Sequence, residues 1–313
     1  MPAVAHIDEV EVEVLEVGPM RGHWRDLGTA AGSVAVGVVR GVIAPGARST
    51  PVHRHGREEE FVVVLQGSGL SWQDGATFTI GPGDCVLHRA GEEAHTLIAG
   101  PEGLDVLVWG PREADEATHL PHAGLVRIGE TSVAALDGPH PWEREAAAGE
   151  LPMPSGGPSP REQARNIVGL ADVPAEPDEH GHHAYLERDF GETLGSRSTG
   201  LRHVTIPAGR EGIPPHCHAA EEELFVVLAG AGSAWLDEAE HPVRAGSVIA
   251  RPAGTGVCHH FVAGPESDLV YLAYGQRCRG EIVFYARSGV AYLKGVQRLV
   301  ATEPMRGYWD FAT

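Results

Sequence analysis

Two histidines one residue apart, with a glutamate five residues beyond the second, occur twice in this chain. The first set is His53, His55 and Glu60, in PVHRHGREEEFVVVLQGSG. The second is His216, His218 and Glu223, in PPHCHAAEEELFVVLAGAG. Each member of the second set lies 163 positions after its counterpart, and a further histidine, His95 or His259, follows each set. Three imidazoles and one carboxylate suit a divalent transition metal such as Fe, Mn, Ni, Zn or Cu. Four protein ligands leave positions on a six-coordinate ion open to water or substrate. Such an ion can polarise an oxygen, activate water or bind dioxygen. One HxH pair is weak evidence, but its duplication at a constant offset predicts a two-domain metalloprotein.

The elements that must position these groups are strands. Successive side chains of a strand point to opposite faces, so His53 and His55 share a face, as do His216 and His218. Arg54 and Cys217 are then expected to face away, which makes Cys217 a packed thiol and not a ligand. Each set ends in three consecutive glutamates. The last of them, Glu60 or Glu223, is best placed to point inward as the next strand begins; Glu59 and Glu222 are the runners-up, and Glu58 and Glu221 are expected to face solvent. His260 competes with His259, but the following AGPE run aligns His259 with His95 and His260 with Thr96.

The repeat extends beyond the ligands. Arg25-Asp26-Leu27-Gly28 returns as Arg188-Asp189-Phe190-Gly191, Trp72 as Trp235, and the run from Ile98 to Glu113 as that from Val262 to Arg277. A period this long marks a duplicated domain, not a solenoid. We expect an N-terminal unit at 1–137, a linker rich in Pro, Gly and Ser at 138–165 with one short helix, and a C-terminal unit at 166–313. PMRGHW at 19–24 is echoed by PMRGYW at 304–309, and these arms are expected to pack on the neighbouring unit or on another subunit. Within each unit, short Val-, Ile- and Leu-rich runs are punctuated by Gly, Pro and Asp. That pattern predicts an all-β fold, a sandwich or closed barrel.

The chain has 313 residues, with 24 basic and 43 acidic side chains and a net charge of −19. This balance argues against nucleic acid and anionic membrane surfaces as partners. No apolar run approaches the ~18 residues of a membrane span. The N-terminal residues do not read as a secretory signal, and four scattered cysteines suggest no disulfide framework, so a cytoplasmic location is expected.

The two motif sets resemble those of the cupin superfamily. Its first motif matches Gly46, His53, His55, Glu60 and Gly67, and again Gly209, His216, His218, Glu223 and Gly230. Its second matches Gly246, Pro252, Gly254 and His259 with two extra residues before the histidine; in the first unit Arg89 stands in place of the proline and one residue is added. The resemblance implies a bicupin of two tandem jelly-roll β-barrels, each with a central metal pocket, a small-molecule ligand and a homo-oligomer, most simply a dimer. Cupins include dioxygenases, decarboxylases, isomerases, aminohydrolases and binding proteins. Our first expectation is a metal-dependent enzyme, dioxygenase-like, acting on a small polar or aromatic metabolite. The alternative is a non-catalytic or structural bicupin with metal in one or both barrels. Pro252 makes the second unit the closer match.

Arg40 and His203 occupy matching positions 163 apart and are expected to line the pockets, reading substrate charge. His88 has either a role beside the metal or a surface role. Trp72 and Trp235 are expected in the core or pocket walls. His180, His182 and His183 are expected in a solvated connector, and His119 and His122 carry no assignment.

Overall fold

The computed structural model describes residues 4–128, 131–133 and 140–302; the second PMRG echo lies outside them. Two strand-rich barrels stand side by side. The main sheet of the first runs, in spatial order, Ile167–Gly169, Asp84–His88, Glu60–Gln73, His95–Pro111, Val36–Ile43, Met20–Asp26 and Glu13–Val17. The second repeats it with Val4–His6, Ser247–Arg251, Glu223–Ala229, Leu269–Gln276, Thr199–Ile206, His183–Asp189 and Glu176–His180. All the paired strands in both sheets are antiparallel.

These sheets are buried on both faces, which is why their central strands read as unbroken apolar runs rather than alternating ones. Val62 and Val64 point into the first barrel, and Phe225 and Val227 into the second. Phe61, Val63, Leu224 and Val226 point the other way, into a shared core between the barrels that also holds Trp109 and Tyr274. Each such side chain contributes about 1.5–3 kcal/mol by leaving water. The repeated Arg-Asp-Leu/Phe-Gly segment serves this core. Asp26 and Asp189 cap short helices by accepting hydrogen bonds from Thr29 N at 2.9 Å and Glu192 N at 2.7 Å. Leu27 and Phe190, the first helical residues, are thereby fixed in the inter-barrel core.

Two strands cross the division at 137/138 and 165/166 expected from the repeat. Val4–His6 pairs with Ser247–Arg251 of the second sheet, and Ile167–Gly169 pairs with Asp84–His88 of the first. The barrels are therefore strapped to each other at both ends. The linker does form a helix, Pro141–Ala147, whose buried Glu145 pairs with Arg48 at 2.9 Å. His180 and His183 lie on paired strands, not in a connector. The strands Glu60–Gln73 and His95–Pro111 run longer than their sequence punctuation suggests, because bulges at Val64/Gln66 and Gly67/Gly69 bend the pairing without ending it. Among the described residues no helix is long and apolar enough to cross a membrane.

Gly67 and Gly230 close the first motif at φ +79° and +78°, where a Cβ would also be driven into the carbonyl oxygen of Gly103 or Asp268. Gly67→Ala and Gly230→Ala should each destabilise the protein by at least about 2 kcal/mol, from left-handed strain plus the clash. Urea denaturation reads this directly, and a loss below about 0.5 kcal/mol would contradict it.

Candidate metal centres

The strand period aims the expected ligands as the sequence implies. Glu60 shares parity with Val62 and Val64, and Glu223 with Phe225 and Val227, so both carboxylates face a barrel interior. His53 bridges to His95, and His216 to His259, across the neighbouring strand. The eight residues come together in two groups, His53, His55, Glu60 and His95, and His216, His218, Glu223 and His259. Within each group the potential donor atoms lie within 4.8 Å of one another.

In the first group Nε2 of His53, His55 and His95 stands 4.0, 3.4 and 3.3 Å from a Glu60 carboxylate oxygen. In the second, Nε2 of His216, His218 and His259 stands 3.9, 3.0 and 3.0 Å from Glu223 Oε2. Donors that share one ion at about 2.1 Å are spaced at roughly such distances. The outward nitrogens are tied. Nδ1 of His53 donates to the Pro51 carbonyl at 2.9 Å, and Nδ1 of His216 to the Pro214 carbonyl at 2.8 Å. This tautomer turns the Nε2 lone pair toward the cluster. Nε2 of His55, His95 and His218 and Oε2 of Glu223 are buried without a hydrogen-bond partner. Buried polar atoms that converge unpaired on one point fit a cation there.

The electrostatics agree. Burial alone would raise the Glu60 and Glu223 carboxyls, but the surrounding imidazoles hold both well below the ordinary value. Burial pushes His95 and His259 down and takes His216 to about 3, keeping these rings neutral and able to coordinate. His55 and His218 behave differently: burial works against their charge, but Glu116 and Glu60 outweigh that and lift His55 to about 10, while Glu223 and Glu281 raise His218.

Two expectations about neighbouring residues need correction. Arg40 and His203 do not line the metal pockets. Two residues before them, Val38 and Leu201 face the inter-barrel core, and alternation sends Arg40 and His203 the same way. They line a cavity of about 500 Å³ between the barrels, where Arg40 is held by Asp105 at 2.9 Å and 2.6 Å. Glu58 and Glu221 do not simply face solvent. Glu58 accepts from Glu113 N at 2.7 Å, and buried Glu221 pairs with Lys294 at 2.5 Å. Trp72 is buried with Val52 and Ala94 in a small apolar cluster, in keeping with the expected core position. His260 stacks on Trp235 with ring centroids 6.0 Å apart, outside the four-residue group.

His88 lies opposite Glu60 in register and is buried, its ring stacked on His95 at 3.6 Å and its Nδ1 2.8 Å from Glu93 Oε1. Arg251 holds the same register opposite Glu223. Arg89, which replaces the motif proline, reaches the carbonyl of Leu194 at the end of a helix in the second unit. The motif departure therefore serves the contact between barrels.

The barrels differ around otherwise matching clusters. Glu187 and Arg202 line the second pocket with His216, Glu223 and His259. Arg202 also borders an outer cavity of about 560 Å³ with His218 and Glu223. Its guanidinium stands 3.4 Å from Glu187 and 3.3 Å from Asp189, and burial raises the Glu187 carboxyl. The positions 163 earlier hold Trp24 and Val39, and Trp24 lies over Gly41 in the first barrel. Arg202 has no polar counterpart in the first unit, where Val39 stands, so the repeat does not single it out. Its parity relative to Leu201 and Val204 was the available signal.

The Cupin domain family matches residues 39–110 and 202–274. With its two barrels and duplicated clusters, the chain carries one cupin domain in each half and has the fold of a bicupin. Each barrel carries a three-histidine, one-glutamate site of the kind that holds a divalent transition metal. Among solved structures it is similar to oxalate decarboxylase from Bacillus subtilis at pH 4.6, with 17% identity over 87% of this chain and 75% of that chain and a TM-score of 0.56. It is also similar to the formate complex of Lactobacillus farciminis oxalate decarboxylase, with 17% identity over 88% and 86% and a TM-score of 0.58. A third similar structure concerns the Mn(II) centers of the Bacillus subtilis enzyme, with 17% identity over 87% and 76% and a TM-score of 0.56. At this identity the likeness shows the fold. No curated protein sequence matches the chain.

Proposed function

We propose that this bicupin is a metal-dependent enzyme acting on a small organic carboxylate in its second barrel. His53, His55, Glu60 and His95 would hold one ion, and His216, His218, Glu223 and His259 the other. The observation that carries the reading is the placement of Glu187 and Arg202 beside the second cluster alone, where the first barrel has Trp24 and Val39. A bound divalent ion supplies a Lewis acid and, for manganese or iron, a redox partner. Arg202 offers a planar fork of donors that matches a carboxylate and would orient it. Glu187, with its carboxyl raised by burial, is placed beside the cluster to exchange a proton with the substrate.

A proton carrier and a carboxylate anchor together serve decarboxylation, in which a C–C bond breaks, carbon dioxide leaves and Glu187 returns a proton to the carbon. The structural neighbours named as oxalate decarboxylases support this substrate class. Dioxygenation, the first expectation from the ligand set, would instead consume dioxygen. The first barrel favours a second reading, ligand binding or support without turnover, because Trp24 and Val39 offer it no acid or base at the positions of Glu187 and Arg202. A homodimer and a cytoplasmic location complete the proposal.

The test is a panel of small mono- and dicarboxylates on manganese- or iron-loaded protein, followed for carbon dioxide release and dioxygen uptake. Arg202→Ala should raise KM about 10–100-fold, the equivalent of one charge-assisted contact, with metal content unchanged. Glu187→Gln should lower kcat about 10²–10⁴-fold. Dioxygen uptake would move the reading to oxygenation; no turnover at full metal loading would remove the enzyme.

A further inference from the structure

We infer that Glu116 and Glu281 are the positioning residues of the two metal centres, one for each barrel. The inference rests on the ligand assignment proposed above. Both carboxylates lie outside the segments that match the family, 39–110 and 202–274. Each immediately precedes a short strand, Ala117–Leu120 or Ile282–Tyr285, that returns to the HxH segment through Arg54–His119 or Cys217–Phe284 pairing.

Their contacts are the same in both barrels. Glu116 Oε1 accepts from Gly56 N at 2.7 Å, and its Oε2 from Arg57 N at 2.9 Å and Glu58 N at 3.2 Å. Glu281 Oε1 accepts from Ala219 N at 2.9 Å, and its Oε2 from Ala220 N and Glu221 N, both at 2.8 Å. The three amides follow the second histidine of the pair directly, so each carboxylate sets the path of the chain from that histidine toward the ligand glutamate. Both are buried, Glu281 completely and Glu116 with 6% of its surface exposed.

The same Oε1 atoms face the ligand rings. Glu116 Oε1 is 3.6 Å from His55 Nδ1, and Glu281 Oε1 is 3.4 Å from His218 Nδ1. Those two Nδ1 atoms are buried and have no hydrogen-bond partner, whereas His53 and His216 use backbone carbonyls. A carboxylate behind Nδ1–H orients the ring and makes Nε2 a better donor to a cation. The second histidine of each pair therefore depends on a side chain that no HxH motif contains. The duplication of the whole arrangement, at an offset of 165 instead of 163, argues that it belongs to the site.

The test loads the full-length protein with Mn(II) and follows binding by titration and electron paramagnetic resonance. Glu281→Gln should weaken one of the two Mn(II) sites about 10–100-fold and alter that ion's spectrum, leaving the other ion as in wild type. Glu116→Gln should do the reverse. Glu281→Asp, which keeps the charge on a shorter side chain, should recover part of the lost affinity. Equal loss in the Asp and Gln variants would make Glu281 a brace of the loop only, and overturn the inference. Wild-type affinity and spectra in both Gln variants would also overturn it, even with a lowered Tm. His218→Ala separates the layers. Loss of one ion there but none in Glu281→Gln overturns the positioning role alone, while two ions retained in His218→Ala, or none in wild type, overturns the ligand assignment and this inference with it.

Discussion

Replacing Glu59 or Glu222 by alanine should cost about 3–5 kcal/mol, the range for removing one side of a buried charged contact, and should loosen one barrel from the other. Glu59 reaches across the interface to accept from Arg197 N at 2.8 Å, Ser198 N at 3.0 Å and Thr199 N at 3.2 Å, and from the hydroxyls of Ser196 and Ser198 at 2.8 and 2.9 Å. Glu222 makes the reciprocal contact with the amides of Val34 at 2.9 Å, Ala35, and Val36 at 3.3 Å. Alanine would leave these donors unpaired at the edge of the shared core, and each orphan costs about 1–3 kcal/mol.

The sign of the pH dependence follows for Glu59. Burial would raise its carboxyl, but the Arg197 and Ser198 amides and the serine hydroxyls outweigh this, and the folded value lies below the ordinary 4.5. A depressed carboxyl stabilises the fold above its unfolded value and loses that contribution as pH falls through the folded value. Wild-type protein should therefore lose inter-barrel stability below about pH 4.5, and Glu59→Ala should show a flatter profile there. Denaturant titrations at pH 7 and pH 3.5 measure both effects. A cost under 1 kcal/mol at neutral pH would show that the clamp is incidental.

The second large effect concerns the ions. His55→Ala and His218→Ala should each remove one metal per chain and leave the other, because the two clusters share no donor. Elemental analysis of protein purified without chelators reads the stoichiometry. An ion present at 100 times its Kd stabilises the folded state by about 2.7 kcal/mol, so each variant should also lose the part of the chelator-sensitive Tm that belongs to its barrel. The proposed division of labour adds a contrast: His218→Ala should abolish turnover, whereas His55→Ala should keep it. Retention of both ions by both variants would refute the ligand assignment, and equal loss of activity in the two would refute the assignment of chemistry to the second barrel.

These two predictions meet in one three-residue run. Glu58, Glu59 and Glu60 look interchangeable as letters, yet the fold gives each a different target. Glu60 faces the metal cluster, Glu59 the other barrel and Glu58 the backbone amide of Glu113. Its place at the opening of the strand was enough to choose Glu60. It could not reveal what Glu59 would meet, because Arg197 to Thr199 lie about 140 residues away.

The all-β class, the duplication, the two ligand sets and the choice of His259 over His260 were legible in the residues alone, because period-two alternation and a constant offset are local properties of the chain. Tertiary structure decided which face of each strand turned toward a pocket and which toward the sister barrel. That moved Arg40 and His203 out of the metal sites and brought Arg202 and Glu187 into one. It also recruited Glu116 and Glu281, and exchanged Val4–His6 and Ile167–Gly169 between the sheets. The physical reason is common to all of these. A strand buried on both sides carries the same apolar signature on each face, so its pattern alone cannot say which side holds the chemistry.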